Sequence, residues 1–224
     1  MNKQGPGKID WTDYTWNPIQ GKCLHECEYC YMNSMWKRFP KLAENKLNES
    51  ILNQKFPKKP SKIFVGSSTD MWGNWVDKNW IHEVFRKIRH HKQHTYQFLT
   101  KNPERYFEFD FTEFKDFCYF GTSVDGTEKT KDNLHTLVCA CDFEKKFVSF
   151  EPLIDDIKIT QEFTENFNEL DWIIIGADSR INAEAPYIWK AQELINLSRL
   201  FDIPVFIKDN YGYPAKIKEF PRLK

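Results

Sequence analysis

Three of the six cysteines fall within eight residues, in the segment C-L-H-E-C-E-Y-C that carries Cys23, Cys27 and Cys30. Thiolates are soft ligands, and so tight a cluster suits zinc or an iron–sulfur group better than a framework of disulfides. A compact loop of this kind can hold three irons of a cubane and leave the fourth iron open. A structural zinc site would instead need a fourth protein donor. His25 lies inside the loop and could supply it, although its place between two ligands is cramped. Three unligated thiols are the plainest alternative. Cys118, Cys139 and Cys141 lack a fourth partner and a tight spacing, so they read as small apolar residues of the interior. An auxiliary cluster is the competing reading for them.

The rest of the composition narrows the setting. The chain has 224 residues, with Lys+Arg and Asp+Glu both at 32, so its formal net charge is zero. That excludes a binder whose affinity comes from phosphate neutralisation alone, and leaves room for a local basic groove. An aromatic content of 16% is wrong for a disordered chain. No apolar run approaches the roughly 18 residues of a membrane span. The first residues, MNKQGPGKID, contain no apolar export segment. A single cytoplasmic domain over residues 1–224, in a reducing compartment and away from membranes, is the expectation.

Chemistry at residues 23–30 requires elements that hold the loop. Short apolar, β-favouring runs recur as KIFVGSS (62–68), TYQFLTK (95–101), CYFGTSV (118–124), KFVSFEP (146–152), DWIIIGA (171–177) and PVFIKD (204–209), with a weaker one at 12–20. Their near-continuous apolar character predicts strands covered on both faces. Helical spacing is clear at 79–89 and 185–201, plausible at 129–140 and weaker at 162–170, and a further helix is expected after Cys30. Alternating strands and helices build a parallel sheet with right-handed crossovers, either open or a partial barrel. Its ligand site then lies at the carboxyl ends of the strands. Nearly every such end carries a polar or ionisable residue, as an active-site rim would.

Taken together, TWNPIQGKC (15–23), CEYCY (27–31), SSTDMW (67–72), QFLTKNPERY (97–106), GTSV (121–124), SFEPL (149–153), DWIIIGADS (171–179) and VFIKD (205–209) resemble, in order and over most of the chain, the phage Gp37/Gp68-like (DUF5131) group of the radical S-adenosylmethionine (SAM) superfamily. Gly176-Ala177-Asp178-Ser179 stands where that group has G-G-E-S, so the acid here is the shorter one. The resemblance implies an α/β fold, a partial (βα)6-type barrel of parallel strands with an extra C-terminal strand. It implies that Cys23, Cys27 and Cys30 hold a [4Fe–4S] cluster whose open iron binds SAM. Cleavage of SAM to methionine and a 5′-deoxyadenosyl radical would follow, and the radical would abstract a substrate hydrogen. The cofactor carries such chemistry while the protein orients and shields it.

The same resemblance distributes the remaining roles. Tyr29 would lie by the adenine, and Ser67, Ser68, Thr69 and Asp70 would satisfy the SAM amino group. Ser123 and Asp125 would suit ribose hydroxyls or a carboxylate, and Glu151 would complete the cofactor contacts, with a rim ion pair to Lys101 or Lys208 as its alternative. Lys101, Asp178, Arg180, Lys208 and Trp72 would face substrate. For Asp178 and Arg180 an ordinary solvated turn competes, and for Trp72 and Trp75 rim packing does. Basic stretches at 55–62, 86–92 and 216–224, the last with Lys216, Lys218, Arg222 and Lys224, read singly as solvated faces and jointly as a cradle for a phosphate backbone. A nucleic-acid base or nucleotide is therefore the first substrate to expect, with a peptide or small molecule next and a non-catalytic zinc protein as the alternative class. An electron donor such as flavodoxin or ferredoxin, and a partner protein completing the site, are the other expected partners.

Overall fold

The structure is a computed structural model that describes residues 1–5, 7–141, 145–180 and 182–221. Of the expected basic stretches, Arg222 and Lys224 lie outside the described residues. The chain forms two compact units, Met1–Tyr119 and Phe120–Lys224.

In the first unit β1 (Asn2–Lys3) pairs antiparallel with β2 (Tyr14–Trp16). A two-residue ladder of β3 (Ile19–Gln20) and β4 (Lys46–Leu47) brackets the cysteine segment. Then come β5 (Lys62–Val65) and β6 (Thr95–Thr100), and β2, β5 and β6 run parallel in that order. The weak strand expected at 12–20 is thus two short strands broken at Asn17–Pro18. Proline has no amide to give a ladder, so the break falls where the sequence puts it.

Three helices belong to this unit: α1 (Met32–Arg38), α2 (Glu49–Leu52) and α3 (Lys78–Arg89). In α3, Ile81, Val84, Phe85 and Ile88 make the buried stripe. Asp77 caps its start by accepting from the Asn79 amide at 2.8 Å, and basic residues close its last turn, where the helix dipole favours them. By contrast, α1 buries none of its residues.

The second unit begins within β7 (Cys118–Ser123) and continues through β8 (Lys146–Phe150), β9 (Trp172–Ile175) and β10 (Val205–Ile207). These strands pair parallel in chain order, and every residue of each is buried. Alternation would leave one face wet; continuous burial means both are covered. The crossovers carry α4 (Asn133–Ala140), α5 (Gln161–Asn168) and α6 (Ile188–Leu200). Gly121 is opposite Phe147, whose ring a Cβ there would meet at 2.5 Å. The glycine of the GTSV run is therefore a packing requirement. The architecture is α/β with a mostly parallel sheet, as the sequence leads one to expect. Among the described residues, no helix is long and apolar enough to cross a membrane.

Candidate functional site

The cysteine loop leaves β3 through Gly21, whose φ of +125° is open to glycine, and a Cβ there would strike Asn45 at 2.5 Å. The Lys22 amide donates to the Ala43 carbonyl at 2.9 Å, and the Asn45 amide group donates to the Lys22 carbonyl at 3.2 Å. The entry to the loop is thereby fixed to the segment just before β4. Within it, Glu26 adopts a left-handed φ of +52°. The turn closes as the Cys30 amide donates to the Cys27 carbonyl at 3.0 Å, which also accepts from the Asn33 side chain at 3.0 Å.

All three thiols are half-buried and free. Burial pushes Cys23 up to about 11, against the pull of the backbone N–H groups of His25 and Asp70 aimed at its sulfur. Burial likewise raises Cys30, against the amides of Met32 and Asn33 and the charge of Lys101. Amides turned toward sulfur stabilise a thiolate and are the usual surroundings of an iron–sulfur ligand. Among the described residues, no three His, Cys, Asp or Glu side chains gather closely enough to hold a single metal ion. A cubane takes each thiolate at a different iron, so its ligands need not share one coordination sphere. His25, the only fourth donor considered for zinc, is engaged elsewhere: its Nε2 lies 2.8 Å from Asp70 Oδ2.

Asp70 joins the loop to the strand ends. Gly66, at φ +81°, turns the chain out of β5 and delivers the segment 67–70. Asp70 Oδ2 accepts from the Thr100 hydroxyl at 2.8 Å and the Lys101 amide at 2.9 Å as well as from His25, while Oδ1 accepts from the Trp72 amide at 2.9 Å. The Ser67 amide donates to Asn17 Oδ1 at 2.7 Å, and the Ser67 carbonyl accepts from the Tyr31 hydroxyl at 2.9 Å. Lys101 holds its ammonium 5.2 Å from the centre of the Tyr29 ring, within cation–π range. Ser68 is half-buried; Thr69 is 4% exposed, and its hydroxyl finds no hydrogen-bond partner among the described residues. An orphaned hydroxyl at a strand end, beside a loop of thiols, suits a polar ligand.

Trp72, expected either to face substrate or to pack at the rim, lies wholly inside. It is 0% exposed and packs against Phe98, Tyr106 and Phe111, the nearest ring centre being that of Tyr106 at 4.6 Å. An aromatic just beyond a strand end can turn either way, and here the apolar wall of α3 and β6 takes it.

A family model described as "Protein of unknown function (DUF5131)" matches residues 6–219. The chain belongs to the DUF5131 family. Among curated proteins, none matches it. Among solved structures, this DUF5131 chain is similar to a double mutant of spore photoproduct lyase with bound AdoMet and dinucleoside spore photoproduct, at 11% identity and a TM-score of 0.49, covering 89% of this chain and 75% of that one. It is also similar to spore photoproduct lyase complexed with dinucleoside spore photoproduct, at 9% identity and a TM-score of 0.37, covering 84% and 71%.

In the second unit of the DUF5131 chain the strand-end acids are differently engaged. Asp125 is 3% exposed, and its Oδ1 accepts from the hydroxyls of Thr127 and Thr130, each at 2.6 Å. The Ser123 carbonyl accepts from the Asn133 side chain at 2.9 Å. Glu151 pairs with Lys208, one of the two lysines expected for it, and a Cβ on Gly176 would come within 2.8 Å of the Glu151 carboxyl carbon. Asp178 accepts from Arg180 Nε at 2.8 Å and from its amide at 2.9 Å. Burial alone would raise the Asp178 carboxyl, but the Arg180 bonds and charge outweigh it and hold the group below its ordinary range.

The structure thus links Tyr29, Ser67, Asp70 and Lys101 with the cysteine loop, and separately joins Glu151 to Lys208 and Asp178 to Arg180. Sequence reasoning did not single out Asn17, Tyr31 or Thr100. Each lies inside one of the ordered blocks, which was the one signal available for them.

Proposed function

We propose that this chain is a radical SAM enzyme of the phage Gp37/Gp68-like group, with Cys23, Cys27 and Cys30 holding a [4Fe–4S] cluster. The observation that carries the reading is the cysteine loop itself: its spacing, its anchoring to the segment before β4, and the amides directed at Cys23 and Cys30. When bound, the cluster and SAM supply a one-electron cleavage that yields a hydrogen-abstracting radical. The chain's own residues do the positioning. Tyr29 and the hydroxyls of Ser67, Ser68 and Thr69 receive SAM, with Thr69 contributing its unpartnered oxygen. Ser123, Asp125 and Glu151 are assigned to cofactor, and Lys101, Lys208, Asp178 and Arg180 to substrate. An electron donor of the flavodoxin or ferredoxin kind, and a reducing cytoplasm, belong to the same proposal.

Anaerobic reconstitution tests it. The wild-type chain should retain iron and sulfide and, with a strong reductant, release methionine from SAM. Replacing all three cysteines should abolish both. Zinc alone after anaerobic purification would instead favour a zinc-stabilised binding protein, and an intact cluster that never cleaves SAM would indicate a sensor.

For substrate we propose a base in nucleic acid or a nucleotide, modified or repaired, on the strength of the basic stretches. A base within a duplex would have to leave the stack to be reached. Oligonucleotide binding that weakens with salt supports this; no binding at low salt moves the choice to a peptide or small molecule, presented by a partner protein that completes the site.

A further inference from the structure

We infer that Asp70 is a positioning residue for the cysteine loop and does not contact SAM. The inference rests on the radical SAM reading above and assigns one acid of that site. An ionised carboxylate is an acceptor only, with about four lone-pair positions. At Asp70 four donors converge, three of them on Oδ2 (Thr100 Oγ1, Lys101 N and His25 Nε2) and one, Trp72 N, on Oδ1, all between 2.8 and 2.9 Å, so Oδ2 is fully engaged. Because the carboxylate cannot donate, the His25 ring must carry its proton on Nε2. The Asp70 side chain is 8% exposed, so the Oδ1 position left over is largely closed to an approaching ammonium.

The donors come from distinct places in the first unit. Thr100 and Lys101 end β6, Trp72 follows β5, and His25 sits between Cys23 and Cys27. Asp70 also turns its own amide toward the Cys23 sulfur. The residue therefore grips the loop twice, through the imidazole and through the sulfur, while its other bonds tie it to the sheet. His25 packs edge-on against Trp75, with ring centres 4.9 Å apart, so the imidazole cannot swing freely toward a metal. Thr69, one residue earlier, has a buried hydroxyl with no hydrogen-bond partner among the described residues, so of the two it is Thr69 that has a polar atom to spare and Asp70 that is committed to structure.

The test uses the full chain, reconstituted anaerobically, as wild type, Asp70→Asn, His25→Ala, His25→Gln and the double variant Asp70→Asn/His25→Ala. Iron and sulfide per chain, the EPR spectrum of the reduced cluster, and the SAM dissociation constant of the cluster-loaded fraction are measured. Asp70→Asn and His25→Ala should each weaken cluster retention by about tenfold, as loss of a ligand-orienting partner commonly does. The double variant should be no worse than either single change, and His25→Gln, which can still donate to Asp70, should recover part of the loss. SAM affinity of the loaded fraction should stay within about twofold.

Wild-type cluster content in Asp70→Asn with SAM affinity lost overturns the inference, and so do additive losses in the double variant. His25→Ala leaves the bonds of Asp70 to β6 and Trp72 in place, so it reads out even if Asp70→Asn folds poorly. A wild-type chain that takes up no iron sinks the cluster reading itself, a result distinct from either of these.

Discussion

Asp70 in the first unit and Asp125 in the second do different work. In the first, Asp70 gathers donors from the cysteine loop, from β6 and from the segment after β5, so one side chain fixes three pieces of chain. In the second, Asp125 closes its own turn with Thr127 and Thr130, and Asp178 binds the residue two positions on. Glu151, through Lys208, reaches a neighbouring strand end, as do Asp171 through the Lys146 amide and Glu219 through the Val205 amide. A carboxylate satisfied by its own turn organises that turn; one satisfied from several elements transmits position between them. The loop with the chemistry-bearing thiols is served by the second kind.

The largest effect is expected at the thiols. Replacing Cys23, Cys27 and Cys30 together should reduce bound iron and sulfide to background while leaving far-ultraviolet circular dichroism unchanged. Next, Asp70→Ala should lower stability by about 3 kcal/mol in denaturant unfolding, because it strands several donors of a buried network at once. Asp125→Ala, which loses bonds from two rotatable hydroxyls and a local amide, should cost about half of that. If the two losses were equal, the contrast between transmitting and local acids would fail.

Gly176→Ala should cost about 1–2 kcal/mol, since its methyl would press on the Glu151 carboxyl carbon and disturb the pair with Lys208. Glu26→Gly should raise stability slightly, by about 1 kcal/mol or less, by relieving the left-handed backbone inside the loop.

The smallest effect concerns pH. Hydrogen bonds from Arg199, at 2.7 and 2.8 Å, hold the Glu219 carboxyl below its ordinary range. A depressed folded pKa means that stability is fully present above the unfolded value, about 4.3, and is lost as pH falls through the folded one. Both partners are largely exposed, so Arg199→Met should remove well under 1 kcal/mol of that acid dependence.

Much of this could be read before any coordinates. The strands at 62–68, 95–101, 118–124, 146–152, 171–177 and 204–209 appear with ends trimmed by a few residues, because burial on both faces leaves an apolar run that no loop would carry. The four helices between them also lie where their spacing put them. The two-residue strands β1, β3 and β4 were not legible, since a ladder that short has no periodicity to detect. At the site, residue type pointed to strand ends and to thiols, but direction was hidden. Nothing in S-S-T-D-M-W states that Asp70 turns back toward His25 or that Trp72 turns into the core. Those orientations depend on Thr100 and Lys101 thirty residues away, and on the aromatic wall that includes Tyr106. Cys139 shows the same limit: taken as interior, it is exposed, while Cys118 and Cys141 are buried.

The helix Met32–Arg38 buries no side chain, and its seven residues fall short of the roughly 12–15 at which a lone helix holds in water. Part of what keeps it wound comes from its N-terminal side, where the Asn33 amide bonds the Cys30 carbonyl and the Asn33 side chain bonds the Cys27 carbonyl. If the three thiols take the proposed cluster, filling the loop should steady this segment as well, and slower amide exchange at Met35 and Trp36 would register it without any turnover.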